Sequence, residues 1–473
     1  MRIQSAFLIP LTALLAACAS PAGLQPRLHA ADPALLAAPQ SLAAPEAPWP
    51  ATDWWAAYGD PQLDRLVDAA LRDNPSLGLA QARIDKARAL AGGVAAADGL
   101  QVGANIESSR QRLPREYIYP PPLAGGYASF NRAALDFSLE LDLWGRNRAA
   151  LDAAIGQARA AESEAAGTRL ALAAAVTQSY LQFDRLVRLR DVAGATLRQR
   201  ERLQELTRLR RDAGLDSRAE VQQAAGGIAA ARSELQGLDT QLEAVRHQLA
   251  ALIGQGPDAL RDLAPPRLHA PAAGLPSQVP ADLLGRRPDV VAQRWRVEAT
   301  RRDSDAARAA FYPNVNLSAF VGVQAIGLSN LAEGGNRILG IGPALHLPIF
   351  DSGRLRAGLA GRQAEQDAAV ADYNATLLRA LQEVADALSA WRGSEAETRE
   401  QQQALARYED AWRLIEIRYE AGLAPYTAVL AAETPLLAQR RLAAELHSRR
   451  LEASAGLARA LGGGALGDIP TVH

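Results

Sequence analysis

Apolar and polar residues alternate strictly in one place along this chain of 473 residues, and less strictly in three others. In Leu135-Asp136-Phe137-Ser138-Leu139-Glu140-Leu141-Asp142-Leu143 every odd position is apolar and every even one polar. Val315, Leu317, Ala319, Val321 and Val323 alternate with Asn314, Asn316, Ser318, Phe320, Gly322 and Gln324. Shorter runs do the same: Val102, Ala104 and Ile106, and Leu339, Ile341, Pro343, Leu345 and Leu347. A period of two sends successive side chains to opposite faces of a strand. The pattern therefore predicts four strands, at about 100–112, 132–144, 314–325 and 338–348. Downstream of each strand pair the period changes. From Arg146 to Asp212, and again from Arg354 to Glu420, there is no proline. Leu172, Val176, Phe183, Leu186, Ala193 and Leu197 follow a coiled-coil seam, broken at Arg190. A continuous helix of that length would run ~100 Å. Each stretch ends at Ala-Gly-Leu, which supplies a glycine where the chain must turn after a helix. Return helices are expected at about Ser217–Ile253 and Tyr426–Leu461, so each long helix belongs to a hairpin with an exposed tip. Pro435 inside the second is expected to kink it.

The two sets of elements are copies. Gly145 and Gly353, Gly214 and Gly422, and Gly254 and Gly462 are each 208 residues apart, and Val176, Phe183 and Arg146 map onto Val384, Trp391 and Arg354 in the same register. Upstream the spacing is 213, from Asn74-Pro75 to Arg287-Pro288 and from Val102 to Val315. The chain thus divides into a first repeat, 61–256, a proline-rich linker, 257–280, a second repeat, 281–463, and a short tail, 464–473. Each repeat reads helix, strand, strand, long helix, helix.

Four strands of alternating polarity, in pairs, match strands of a membrane barrel with one lipid face and one polar lumen face. Four cannot close a barrel, and open edges in lipid leave backbone groups without partners. Closure would need further copies; three chains give twelve strands. Asp136, Glu140 and Asp142 would then line the lumen and bias it toward cations. The loops at 113–132 and 326–338 would face outward.

The N-terminus agrees with a membrane destination. Met1-Arg2 and an apolar run from Ala6 to Ala17 read as a signal peptide, 1–17. Leu15-Ala16-Ala17-Cys18 resembles a bacterial lipobox, which makes Cys18, the chain's one cysteine, the expected lipid attachment point. Ala19 in the next position favours the outer membrane. Residues 18–60 would form an arm, rich in Ala and Pro up to Pro50.

Composition removes other classes. The formal net charge of −1 gives no footprint for nucleic acid. The six histidines are scattered without metal-ligand spacing, and no G-x-S-x-G, P-loop or H-E-x-x-H motif occurs. The reading is of a non-enzyme without cofactor or metal.

Several short motifs complete the picture: Trp54-Trp55, Tyr58-Gly59-Asp60-Pro61, Asn74-Pro75, Arg286-Arg287-Pro288-Asp289, Phe311-Tyr312-Pro313, Phe350-Asp351-Ser352-Gly353 and Arg418-Tyr419-Glu420-Ala421-Gly422. With the lipobox and the duplication, they make the chain resemble the TolC-like outer-membrane factors, specifically the OprM-like lipoprotein branch of RND efflux systems (the NodT family). That resemblance implies a mostly helical chain carrying part of a transmembrane β-barrel, a homotrimer with a 12-stranded barrel on an α-helical tunnel. It implies a passive exit duct, supplied by an inner-membrane RND-type pump through a periplasmic adaptor (membrane fusion protein). Gly214, Leu215, Gly422 and Leu423 match the adaptor-facing tips. Glu220 stands where such proteins have an acidic gate residue, and Tyr419 matches a gate tyrosine. Ala424, Ala428 and Ala431 replace charged residues of TolC itself; Glu433 is a candidate to restore an acidic ring, though it points about 200° around a helix from Ala431, and a hydrophobic constriction is the alternative. Outer-membrane components of type I secretion or metal efflux share the pattern. A lipid-anchored coiled-coil scaffold would share only the helices.

Overall fold

The computed structural model describes residues 20–32, 36, 38, 40–116, 118–271, 274–276, 285–351 and 353–464. The signal peptide, Cys18 and nearly all of the C-terminal tail lie outside these residues. The elements are α1 (Pro61–Asp73), α2 (Pro75–Ala97), β1 (Gln101–Arg112), β2 (Tyr127–Leu141), α3 (Arg146–Asp212) and α4 (Arg218–Leu252). After the linker come α5 (Pro288–Ala309), β3 (Asn314–Ile326), β4 (Arg337–His346), α6 (Arg354–Glu420) and α7 (Tyr426–Ala460). Both long helices have 67 residues and both return helices 35, and the bounds of each pair lie 208 residues apart. Glycines with positive φ start and end the long helices in both repeats: Gly145 and Gly353, then Gly214 and Gly422. α7 continues through Pro435. Among the described residues no helix is long and apolar enough to cross a membrane.

The chain forms two compact units. One contains the described residues up to Ala30, Arg83–Ala161 and Gln293–Tyr373. Its centre is a single antiparallel sheet in the order β1-β2-β3-β4. β2 differs from the expected 132–144. It starts earlier, at Tyr127, where Ala128-Ser129-Phe130-Asn131 alternate in the opposite phase, and it stops at Leu141. The connecting loops shorten accordingly to 113–126 and 327–336. In this unit the arm packs Leu24 on Phe311, Leu355 and Leu359. The backbone N–H groups of Arg27 and Leu28 donate to Asp367 at 2.8 and 3.0 Å.

The other unit contains Ala31–Ala82, Glu162–Ala292 and the described residues from Asn374 on. Its largest core joins Trp54, Trp55, Tyr58, Leu63 and Val67 to Val176, Tyr180 and Phe183 of α3, to Leu242 and Leu249 of α4, and to Leu451 of α7. The short motifs are its fasteners. Asp60 caps α1 and accepts hydrogen bonds from the Tyr180 hydroxyl at 2.8 Å and the Arg267 N–H at 2.9 Å. The Tyr58 hydroxyl donates to the Leu451 carbonyl at 3.0 Å, while the Tyr58 carbonyl accepts from the His269 N–H. The linker is therefore held at Arg267, at His269 and at Leu275, which pairs with the arm beside Glu46. The residue before proline does the same job in both repeats. Asn74 donates to the Leu252 carbonyl at the end of α4, and Arg287 donates to the Ala460 carbonyl at the end of α7. Both satisfy a terminal helix carbonyl that has no partner within its helix.

Candidate functional site

The sheet carries the first candidate site. Its register aligns Val102, Phe137, Ala319 and Ile341 in one row, and Ala104, Leu135, Val321 and Leu339 in the next. Ile106, Ala133 and Val323 form a third, which ends on a charge at Arg337, the first residue of β4. One face is thus apolar across all four strands, and it is open: Ile106 is 82%, Leu339 81% and Ile341 76% exposed. The opposite face aligns Gln101, Ser138, Ser318 and Gly342, and then Glu107, Arg132 and Gln324. Aromatic residues mark the ends of the apolar band. Tyr127 lies beneath Arg110 at one end, and Trp144 stacks on Tyr312 at 4.8 Å at the other. Such aromatic girdles flank the lipid band of membrane barrels. β1 and β4 each have one unpaired edge within the chain.

The three acids expected to line the lumen each have a partner. Asp136 accepts from Arg132 at 2.7 Å, and Glu140 accepts from Arg146 at 2.6 Å. Asp142 lies one residue beyond β2 and accepts from the Arg148 N–H at 2.9 Å, near the start of α3. It is a helix-end residue, which corrects its expected place on the strand. The Arg132 guanidinium also lies 5.7 Å above the Phe320 ring. Gly340 makes room for that ring, because a Cβ there would come within 2.7 Å of it.

The second candidate site is the tip region of the two helical hairpins. Gly214 (φ +77°) and Gly422 (φ +76°) turn the chain in the left-handed region that favours glycine. The Leu215 N–H donates to the Arg210 carbonyl and the Leu423 N–H to the Arg418 carbonyl, both at 2.8 Å, so the tips repeat each other atom for atom. Leu215 and Leu423 are 62% and 70% exposed. After the turns the copies diverge. Ser217 and Glu220 form a capping box at the start of α4, whereas Pro425 starts α7 without a side-chain cap.

Each gate candidate has a definite place. Glu220 serves as a cap, its Oε2 accepting from the Ser217 N–H at 2.8 Å and from the Ser217 hydroxyl. Those hydrogen bonds, the Ser217 hydroxyl first, hold its carboxyl below the ordinary range. Tyr419 is buried, and its hydroxyl donates to Asp216 at 2.7 Å and lies 3.1 Å from Thr207. Burial, chiefly, pushes its pKa up to about 12, so it stays a donor. Arg210 completes the cluster. It pairs with Asp216 at 3.0 Å, donates to the Tyr419 carbonyl at 2.7 Å and stacks on the Tyr419 ring at 4.3 Å. Glu433 is only 2% exposed and pairs with Arg200 at 3.3 Å. It faces α3 and cannot form an acidic ring in a lumen. Its offset of two residues from Ala431, about 200° around the helix, is the reason.

Sequence reading named Tyr419 as a candidate but not its contacts with Asp216 and Arg210, and it did not single out Arg200. Nothing in their spacing announces them, since Asp216 reaches Tyr419 across 203 residues. Arg132 was legible in principle. It lies four residues before Asp136, on the same face of the same strand.

Comparisons with known proteins agree with this geometry. The family described as outer membrane efflux protein matches residues 66–255 and 279–463, the two repeats. The chain is 38% identical over 357 residues to the fusaric acid resistance protein FusA of Burkholderia cepacia, covering 74% of this chain and 67% of that one. It is 32% identical to the multidrug resistance outer membrane protein MdtQ of Escherichia coli O157:H7, over 96% and 97% of the two. Among solved structures, the outer membrane protein VceC of Vibrio cholerae superposes with a TM-score of 0.82 at 36% identity, covering 88% of this chain and all of that one. The outer-membrane channel OprN superposes with a TM-score of 0.84 at 29% identity, over 95% of this chain and all of that one. The chain belongs to the outer membrane efflux protein family, the TolC-like channels of the outer membrane that extend into the periplasm.

Proposed function

We propose that three copies of this chain form the passive exit duct of a tripartite efflux system, anchored by lipid at Cys18. The observation that carries this reading is the sheet: apolar on one face, polar on the other, and open at both edges. In hydrocarbon each unpaired backbone group costs several kcal/mol, so the edges of β1 and β4 must be satisfied by neighbouring copies. Three sheets give a 12-stranded barrel, within the size range of membrane barrels. The polar face, with Asp136, Glu140 and Arg132, lines the pore. The duct performs no chemistry of its own. Energy comes from an inner-membrane RND-type pump, and a periplasmic adaptor meets the tips at Gly214, Leu215, Gly422 and Leu423. The names of FusA and MdtQ, fusaric acid and multidrug resistance, support small organic molecules as cargo.

The cluster of Tyr419, Asp216, Arg210 and Thr207 ties the first hairpin (α3, α4) to the second (α6, α7) at the tips. In this reading it holds the periplasmic entrance closed, and the entrance opens when the hairpins part. The test is direct. Full-length protein extracted from outer membranes should run as a trimer and form discrete channels in planar bilayers. Photo-crosslinkers at Leu215 and Leu423 should capture an adaptor in cells. A monomer that forms no channels would end the duct reading.

A further inference from the structure

The tip cluster is not the only buried polar tie between the hairpins. Seven residues before Thr207, roughly 10 Å along α3, Arg200 is bound on two sides. On one side its Nε and Nη2 each donate to the Glu433 carboxylate of α7 at 3.3 Å, and Gln199 adds a bond at 3.2 Å. On the other side its Nη1 donates to the Gly227 carbonyl, in the middle of α4, at 2.9 Å. Gly227 suits this contact. A Cβ there would already touch the Arg200 side chain at 3.6 Å, and a larger group would compete for the guanidinium.

We infer that Arg200 is a further gating residue, clasping α7 to α3 and α4 through Glu433 and the Gly227 carbonyl, and that this clasp must release before the hairpins can part. The inference rests on the gate reading above and adds a second tier to it. Three observations carry it. All the hydrogen bonds described for the Glu433 carboxylate come from α3, so its burial depends on the second hairpin staying against the first. Next, Leu203 on α3, Ala224 on α4, and Tyr426 and Val429 on α7, packed in one apolar cluster with the Tyr419 ring, lie between the two polar ties. The closed state is therefore layered: a polar tie at the tip, an apolar layer, then the Arg200 clasp. Last, a bidentate guanidinium–carboxylate pair has a strict geometry, and a small slide of one helix on the other breaks both bonds together. The clasp resists sliding more than a single hydrogen bond would.

The test compares open probability in planar bilayers, in potassium chloride, for purified full-length trimers. Glu433→Gln keeps the shape and removes the charge, and about a tenfold rise in open probability is expected. Asp216→Asn, which acts on the tip cluster, is measured in parallel. A rise for Asp216→Asn with none for Glu433→Gln would overturn the clasp and leave the tip gate standing. No rise in either would remove the gate reading itself. If Glu433→Gln does not assemble, Arg200→Lys replaces it. It keeps the positive charge but cannot hold both carboxylate oxygens and the Gly227 carbonyl. Trimers of Arg200→Lys with a raised open probability support the clasp. Failure of both variants to form trimers makes the pair purely structural and overturns it.

Discussion

Tyr419 contributes one hydroxyl to a charged cluster, and that hydroxyl can be removed without altering the packing of the ring. A hydrogen bond to a charged group contributes about 1.5–3 kcal/mol. Tyr419→Phe removes the bond to Asp216 and keeps the stacking on Arg210. It should raise the open probability tenfold or more, measured as single-channel current without an adaptor. His447 makes a different prediction. Burial first, and then Arg188 and Arg450, lower its pKa from 6.5, against the opposing charge of Asp184 at 3.7 Å. A depressed folded pKa means that the unfolded chain takes the proton first. Its stabilisation is therefore present above about pH 6.5 and is lost as the pH falls through the folded value. Trimer melting followed against pH should show this loss, and His447→Gln should flatten that part of the curve. At this scale the sequence was a partial guide. It placed Tyr419, Glu220 and Glu433 near the tips, because the register of the repeat fixes positions along a helix. It held the local signature Ser217-x-x-Glu220 of the capping box that starts α4, a signal that the gate assignment of Glu220 passed over. It could not say that Glu433 would face α3, because that depends on which helix lies alongside.

The elements were far more legible. Arg146–Asp212 and Arg354–Glu420 were readable end to end, because a glycine turn bounds each and no proline interrupts. β1, β3 and β4 began and ended within about two residues of the alternation that predicts them. β2 was the exception at both ends. Over its first residues, up to Asn131, the phase of the alternation reverses and polar Ser129 and Asn131 pair with Arg110 and Ser108, and Asp142 was drawn out of the pattern to serve α3. The two faces of this sheet give a clean contrast. An arginine facing lipid near the bilayer midplane costs about 2–4 kcal/mol, and much less on the lumen side. Ile341→Arg should therefore abolish heat-resistant trimers in outer membranes. Ser318→Arg, on the opposite face, should leave them in place, and a gel of unheated membrane extracts would show the difference.

For the whole molecule, charge pairing decides what the pore prefers. Asp136, Glu140 and Asp142 were expected to favour cations, yet Arg132, Arg146 and the start of α3 already satisfy them. The reversal potential across a potassium chloride gradient should show only a weak cation preference. Arg132→Gln, which frees Asp136, should strengthen it. The duplication, the strands and the family were all legible at this level. The pairing was not, because sequence shows which charges are present but not how they neutralise one another.

The unpaired edges of β1 and β4 have a genetic consequence. A lone chain has no finished barrel to insert, so channel number depends on the concentration of partners, and at low expression it should fall more steeply than protein level. One defective edge is also enough to spoil a closed ring. In a cell making equal amounts of normal and edge-damaged chains that mix freely, only about one ring in eight would be wholly normal. Damage to an edge strand should therefore lower channel number further than loss of one gene copy does.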